Sequence, residues 1–127
     1  MRAFGLLLVL AGCAPTGSSV EEREPAGLHR ELAARVAGEP RSCAPADPSR
    51  GLTVVDGRTV TVDQGATLWV NRLAADCPGL RPTSTIVAEV HGDRYCRGDR
   101  IRALDPGTTI PGPYCILADW TPYRRPR

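Results

Sequence analysis

Five cysteines, at positions 13, 43, 77, 96 and 115, constrain this chain more than any other feature. An odd number in an exported protein leaves one thiol over. Cys13 stands apart from the rest, in a short apolar stretch at the start of the chain. Cys43, Cys77, Cys96 and Cys115 lie in the body of the sequence, and four cysteines in an oxidising compartment read as two disulfides. Three pairings are possible, and the sequence does not choose among them. The preferred one joins Cys77 to Cys96, stapling a local hairpin, and Cys43 to Cys115, tying the two ends of the domain. Each bond contributes roughly 2–4 kcal/mol, which matters where the whole chain holds one Phe. Zinc is the rival use of four cysteines. Closed zinc sites pair their ligands as C-x₂₋₄-C, and no two of these cysteines are that close, so no metal or other cofactor is expected.

The fifth cysteine closes the tetrapeptide Leu10-Ala11-Gly12-Cys13, after one charge at Arg2 and an apolar run from Ala3 to Val9. A positive start, a short apolar stretch and small residues at the cut are what a secretory signal requires. Leu, two small residues and a cysteine have the form of a bacterial lipobox. Residues 1–12 are therefore expected to be a lipoprotein signal peptide, with Cys13 the lipidated first residue of the mature protein. The apolar run is too short to span a bilayer, which takes roughly 20 residues. One acyl chain binds membranes only marginally, but lipoproteins carry two or three, palmitate among them, so the anchor is expected to last. A residue other than Asp after the cysteine, here Ala14, resembles the outer-membrane sorting pattern of Gram-negative bacteria. The expected location is the periplasmic side of the cell envelope.

Residues 13–27 are expected to form a lipidated tether: Pro15, Gly17, Ser18, Ser19 and the charges from Glu21 to Glu24 offer little to bury. The remainder, 28–127, is large enough for one small domain. The chain has 16 basic and 14 acidic side chains, and none of the bases is Lys. Loss of Arg2 with the signal brings it closer still to neutrality, which argues against nucleic-acid binding through a basic face.

Leu28, Leu32 and Val36 recur every four residues and predict a short helix over Leu28–Ala37, stopped at Gly38 with Pro40 beyond. From Leu52 onward the pattern is β. Leu52–Val55 and Arg58–Val62 flank an Asp56-Gly57 turn, the Gly supplying positive φ. Gln64-Gly65 leads into Thr67–Leu73, with Leu68 and Val70 on one face and Trp69 on the other. Thr85–His91 is a further strand, with Ile86, Ala88 and Val90 opposite Val87, Glu89 and His91. Tyr95–Leu104 is expected to be another, bulged at Gly98. The Pro-rich segment 110–114 reads as an edge or loop, and Tyr114–Trp120 as a last short strand. The expected fold is mainly β, a small antiparallel barrel or curled sheet of five to six strands with one N-terminal helix and two disulfides.

Chemistry is sparse. The sequence carries no G-x-S-x-G, H-E-x-x-H, P-loop or C-x-x-C motif, so no catalytic residue is assigned and an enzyme is not expected. Glu89, His91 and Asp93 are the residues that would hold a metal or act as an acid–base group if the strand ran on through Gly92; a polar solvent face explains them as well. Arg97-Gly98-Asp99 matches the integrin-binding tripeptide, but Asp99 fits better as a partner for nearby backbone, Arg97 or Arg72. Asp119-Trp120-Thr121-Pro122-Tyr123 is either a ligand platform or a lid on the end of the fold. The basic tail from Arg124 is a solvated end or a contact for anionic lipid.

Val70-Asn71-Arg72, Cys77-Pro78-Gly79-Leu80, Cys96-Arg97-Gly98-Asp99, Cys115-Ile116-Leu117 and Pro122-Tyr123, in that order, resemble a group of small exported bacterial proteins classed as a domain of unknown function. The resemblance runs from about Val36 to Arg125 and departs from the group in the Pro-rich segment Thr108–Pro113. It implies a four-cysteine, β-rich envelope protein, often a lipoprotein, and no activity. The sequence thus points to a lipid-anchored, non-enzymatic interaction or structural module. Its partners would be the membrane, through Cys13, and an envelope protein or glycan. The alternative is a periplasmic module that binds a small ligand or metal.

Overall fold

The computed structural model describes Gly12 and residues 25–127. The signal peptide apart from Gly12, the lipidation site Cys13 and residues 14–24 of the expected tether lie outside the described residues. No helix among the described residues is long and apolar enough to cross a membrane.

Among the described residues one helix precedes ten short strands: α1 (Ala26–Ala33), β1 (Val36–Ala37), β2 (Cys43–Pro45), β3 (Thr53–Asp56), β4 (Thr59–Asp63), β5 (Thr67–Arg72), β6 (Thr85–Glu89), β7 (Arg94–Cys96), β8 (Arg100–Leu104), β9 (Cys115–Ile116) and β10 (Trp120–Arg124). They form three antiparallel sheets, ordered β1-β10-β5-β4-β3, β2-β7 and β6-β8-β9. The mainly β, disulfide-bonded fold with one short helix is as expected. The sheets stay open and curl instead of closing into a barrel.

Alternation sorts the five-stranded sheet into two buried faces. Val54, Val60, Val62, Trp69 and Trp120 turn to the main core, where they meet Ile101, Ala103 and Leu117 from the other half. Leu68 and Val70, on the opposite face, pack against Leu28 and Leu32 of α1. The helix begins and ends earlier than its apolar stripe suggests. After Ala34 the chain extends into β1, and Val36 stands exposed. The stop comes from Arg35. Its buried guanidinium donates to the carbonyls of Gly65 and Ala66, each at 3.2 Å, and of Tyr123 at 3.4 Å. A helix running on to Ala37 would carry that side chain away from these acceptors. Gly38 lies well beyond the helix end. A Cβ there would come within 3.0 Å of the Pro122 ring, so this glycine permits two backbones to approach closely.

Trp120–Arg124 forms strand β10, lying between β1 and β5, and the basic tail continues beyond it. Pro122 is tolerated because its ring nitrogen faces the two-residue edge strand, where only its carbonyl is used, accepting from Gly38 N–H at 2.7 Å. Asp119–Tyr123 is thus neither lid nor platform. Trp120 to Tyr123 belong to the sheet itself. The β3–β4 turn also differs from expectation. Gly57 is not among the glycines with positive φ, and the turn is held by Asp56 Oδ1, which accepts from Arg58 N–H at 2.9 Å. Gly65 does take positive φ, at 77°, beside an Asp63 carboxylate that accepts its N–H at 2.7 Å.

The expected strand Tyr95–Leu104 breaks at Arg97–Asp99 into β7 and β8, which belong to different sheets. That break overturns the preferred disulfide pairing. β7 pairs with β2, setting Cys96 directly opposite Cys43, and these two are bonded. Cys77 bonds Cys115 instead.

Candidate functional site

The sheet β6-β8-β9 turns Ile86, Ala88, Ile101 and Ala103 inward against the core. Register then assigns the outer face. Val87 is opposite Arg102, Glu89 opposite Arg100, and Arg100 opposite Ile116. Residues directly opposite one another project to the same side of a sheet. Tyr114, from the loop before β9, folds over this face and lies between two guanidinium groups. Arg100 is 4.7 Å and Arg102 4.5 Å from its ring centroid. Both distances suit a cation–π contact. The Tyr114 hydroxyl donates to Glu89 Oε1 at 3.0 Å, and Arg100 Nη2 meets Glu89 Oε2 at 2.8 Å. The Glu89 charge is therefore matched within the patch. Among the described residues Arg102 donates only to carbonyls, Gly112 O at 2.7 Å and Pro111 O at 3.3 Å, and meets no carboxylate there.

The same region collects exposed apolar surface. Among the described residues the exposed large apolar side chains are Val36, Val87, Val90, Ile110, Tyr114 and Ile116. All but Val36 belong to this sheet, to the residue following β6 or to the loop joining β8 to β9. Val87 is 43%, Tyr114 47%, Ile116 52% and Ile110 83% exposed. The Ile110 loop is fastened to β8 by the two Arg102 bonds and by Gly112 N–H donating to Ala103 O at 2.8 Å.

The three residues singled out as metal or acid–base candidates are not brought together. Glu89 is engaged by Arg100 and Tyr114. The His91 side chain is almost wholly exposed, with Nδ1 3.7 Å from Asp99 Oδ1, and Asp93 pairs with Arg94 at 3.9 Å. No group of three His, Cys, Asp or Glu among the described residues is arranged to hold a metal ion. The Arg-Gly-Asp tripeptide forms a structural turn. Asp99 Oδ2 accepts from Cys96 N–H at 2.8 Å, Arg97 pairs with Asp119 at 3.2 Å, and Gly98 N–H donates to Leu117 O.

A cleft of about 300 Å³ opens between the β2-β7 ribbon and β5, lined by Arg41, Cys43, Pro45, Trp69, Asp93 and Arg94. Trp69 Nε1 donates to Gln64 Oε1 at 3.1 Å. Nearby, the Asp47 carboxyl is held below its ordinary range by hydrogen bonds from the Ser49 hydroxyl and N–H. Burial pushes the Tyr95 phenol above 10.0, with the Asp47 charge acting in the same direction.

Two buried polar side chains escape the sequence reading. Arg35 is one. The other is Asn71, which donates to Ala118 O at 2.7 Å and accepts from Ala118 N–H at 3.0 Å, closing the seam between β5 and the segment entering β10. Arg35 has one local partner, Glu31 at 3.4 Å, but the carbonyls that receive its buried guanidinium, like the partner of Asn71, lie 30 or more positions away. No protein-family model, curated protein or solved structure matches this chain.

Proposed function

We propose that this is a lipid-anchored cell-envelope protein, on the periplasmic side and at the outer membrane, whose folded domain is a non-enzymatic interaction module. One observation carries the reading. Cys43, Cys96, Cys77 and Cys115 are all consumed in two disulfides, so Cys13 alone is left without a partner cysteine, and it closes a lipobox. The disulfides fit an exported protein, and the resemblance to four-cysteine envelope proteins agrees with them. The solvent-exposed His91, and a Glu89 already occupied by Arg100 and Tyr114, support a role without acid–base catalysis.

Mass spectrometry of the mature protein from membranes tests the anchor. The expected N-terminal residue is Cys13 carrying acyl chains, and Cys13→Ser should move the protein to the soluble periplasmic fraction. An unmodified Cys13, or cleavage elsewhere, would refute the proposal.

A second reading, a module for a small anionic ligand, is favoured by the cleft, lined by Trp69 and by two arginines, Arg41 and Arg94, against one carboxylate, Asp93. Trp69 would report such a ligand by its fluorescence. No change on titration with simple carboxylates and sugar acids, in wild type and Trp120→Phe alike, would dispose of it.

A further inference from the structure

We propose that the outer face of the β6-β8-β9 sheet docks on anionic lipid headgroups, laying the domain against the membrane that holds its anchor. This deepens the lipid-anchor reading and rests on it for the constant nearness of the bilayer.

The face combines the two features that interfacial binding needs. Val87, Ile116 and Ile110 supply apolar surface able to enter the headgroup–acyl boundary. Tyr114 is amphipathic, the kind of side chain that settles at headgroup level. Arg100 and Arg102 grip its ring from the sheet. Arg102 carries its charge beside the apolar residues with no carboxylate partner among the described residues, and Arg100 is paired with Glu89. An arginine near an anionic surface strengthens association about fivefold. Ile110 has the geometry of a wedge, at 83% exposure on a loop that Arg102 and Ala103 fasten to β8.

Charge decides among the possible occupants. Pairing this face with its own copy would set Arg100 and Arg102 close to the same residues of the second molecule, a like-charge contact with only Glu89 to offset it. An anionic headgroup layer meets Arg102 with opposite charge, while Arg100 and Glu89 offset one another on the face. The patch is small, and small interfaces bind weakly when free in solution. A lipid on Cys13 removes that limit, because tethering raises the effective concentration of the second contact to about the millimolar range.

The test uses the mature protein purified from membranes and inserted into nanodiscs of phosphatidylcholine alone or of equal parts phosphatidylcholine and phosphatidylglycerol. Hydrogen exchange is followed over residues 85–90 and 105–116. In the anionic discs these segments should exchange at least threefold more slowly than in neutral discs, with β3 and β4 unchanged. Raising salt to about 0.5 M should abolish the difference, because the Debye length shrinks. Ile110→Glu and Ile116→Glu, both at exposed positions, should abolish it too while leaving the melting temperature in place. Equal exchange in the two discs overturns the proposal, as does protection that appears only when other envelope proteins are added. The N-terminal peptide mass from the same sample separates failure of docking from failure of the anchor. If Cys13 proves unacylated, the mature protein is sedimented with vesicles of the same two compositions. At least threefold more should then pellet with the anionic vesicles, and equal pelleting overturns the proposal.

Discussion

In β5 every position from Leu68 to Asn71 is buried, because α1 covers one face of its sheet and the main core the other. In β6 no position is fully buried, and only Ile86 and Ala88 pack against the core. The first region draws its order from apolar contact on two sides and from a continuous five-strand ladder. The second has one covered face, ladders of two and three strands, and both disulfides. Where burial on two faces is not available, a covalent link limits the freedom of the unfolded chain instead. The difference also bears on function. A face left uncovered by the fold remains free to meet something else.

Removing the covalent links should break this comparison most strongly. Changing Cys43 and Cys96 together, or Cys77 and Cys115 together, to Ala should cost about 2–5 kcal/mol per bond removed. Hydrogen exchange in the surviving native state should rise first in β2, β6, β7 and β9, while β4 and β5 stay protected. Uniform loss of protection would mean that the two regions unfold as one unit.

The unequal legibility of the two regions has the same origin. Val60 and Val62, and Leu68 and Val70 against Trp69, are readable because successive side chains of a strand point to opposite faces. The Asp63–Gly65 turn is equally local. What escapes reading is set by distant partners. Arg35 ends the helix by reaching carbonyls on the β4–β5 turn and β10. Pro122 sits in a strand because its missing N–H faces a short edge. The break at Arg97–Asp99 is imposed by Ser42 and Leu117, whose backbones grip that turn and direct Cys96 to Cys43. The candidate face follows the same rule. Glu89, Arg100 and Arg102 alternate visibly in sequence, but the ring between the arginines arrives from Tyr114, across a Pro-rich loop.

A smaller effect sharpens the boundary between the two regions. Asn71 on β5 binds both backbone groups of Ala118, the residue shortly before β10. Asn71→Leu keeps the branched heavy-atom skeleton, with somewhat bulkier methyl ends, and leaves the Ala118 N–H and C=O without partners, a cost on the order of 1–3 kcal/mol. The loss should appear in chemical denaturation as a lower midpoint with an unchanged slope. An unchanged midpoint would show that solvent or backbone adjustment satisfies Ala118.

The smallest effect concerns Tyr95, which belongs to the β2-β7 ribbon yet packs on Trp120 of the large sheet, ring centroids 6.4 Å apart. Burial raises its phenol above the ordinary 10.0, and the Asp47 carboxylate adds to the rise. Folding therefore favours the protonated phenol. The stability this contributes is fully present below about pH 10 and is lost as the pH climbs through the raised value, since the unfolded chain gives up the proton first. Thermal melts should hold level from pH 7 to about pH 9 as far as this group is concerned, then fall. Tyr95→Phe has no proton to lose and should flatten that alkaline fall. If the two regions share one cooperative transition, the whole melt moves with Tyr95. If the ribbon opens alone, near-ultraviolet dichroism falls at high pH before the far-ultraviolet signal of the large sheet does. An identical alkaline fall in both proteins would mean that ionised Tyr95 is accommodated without unpacking from Trp120.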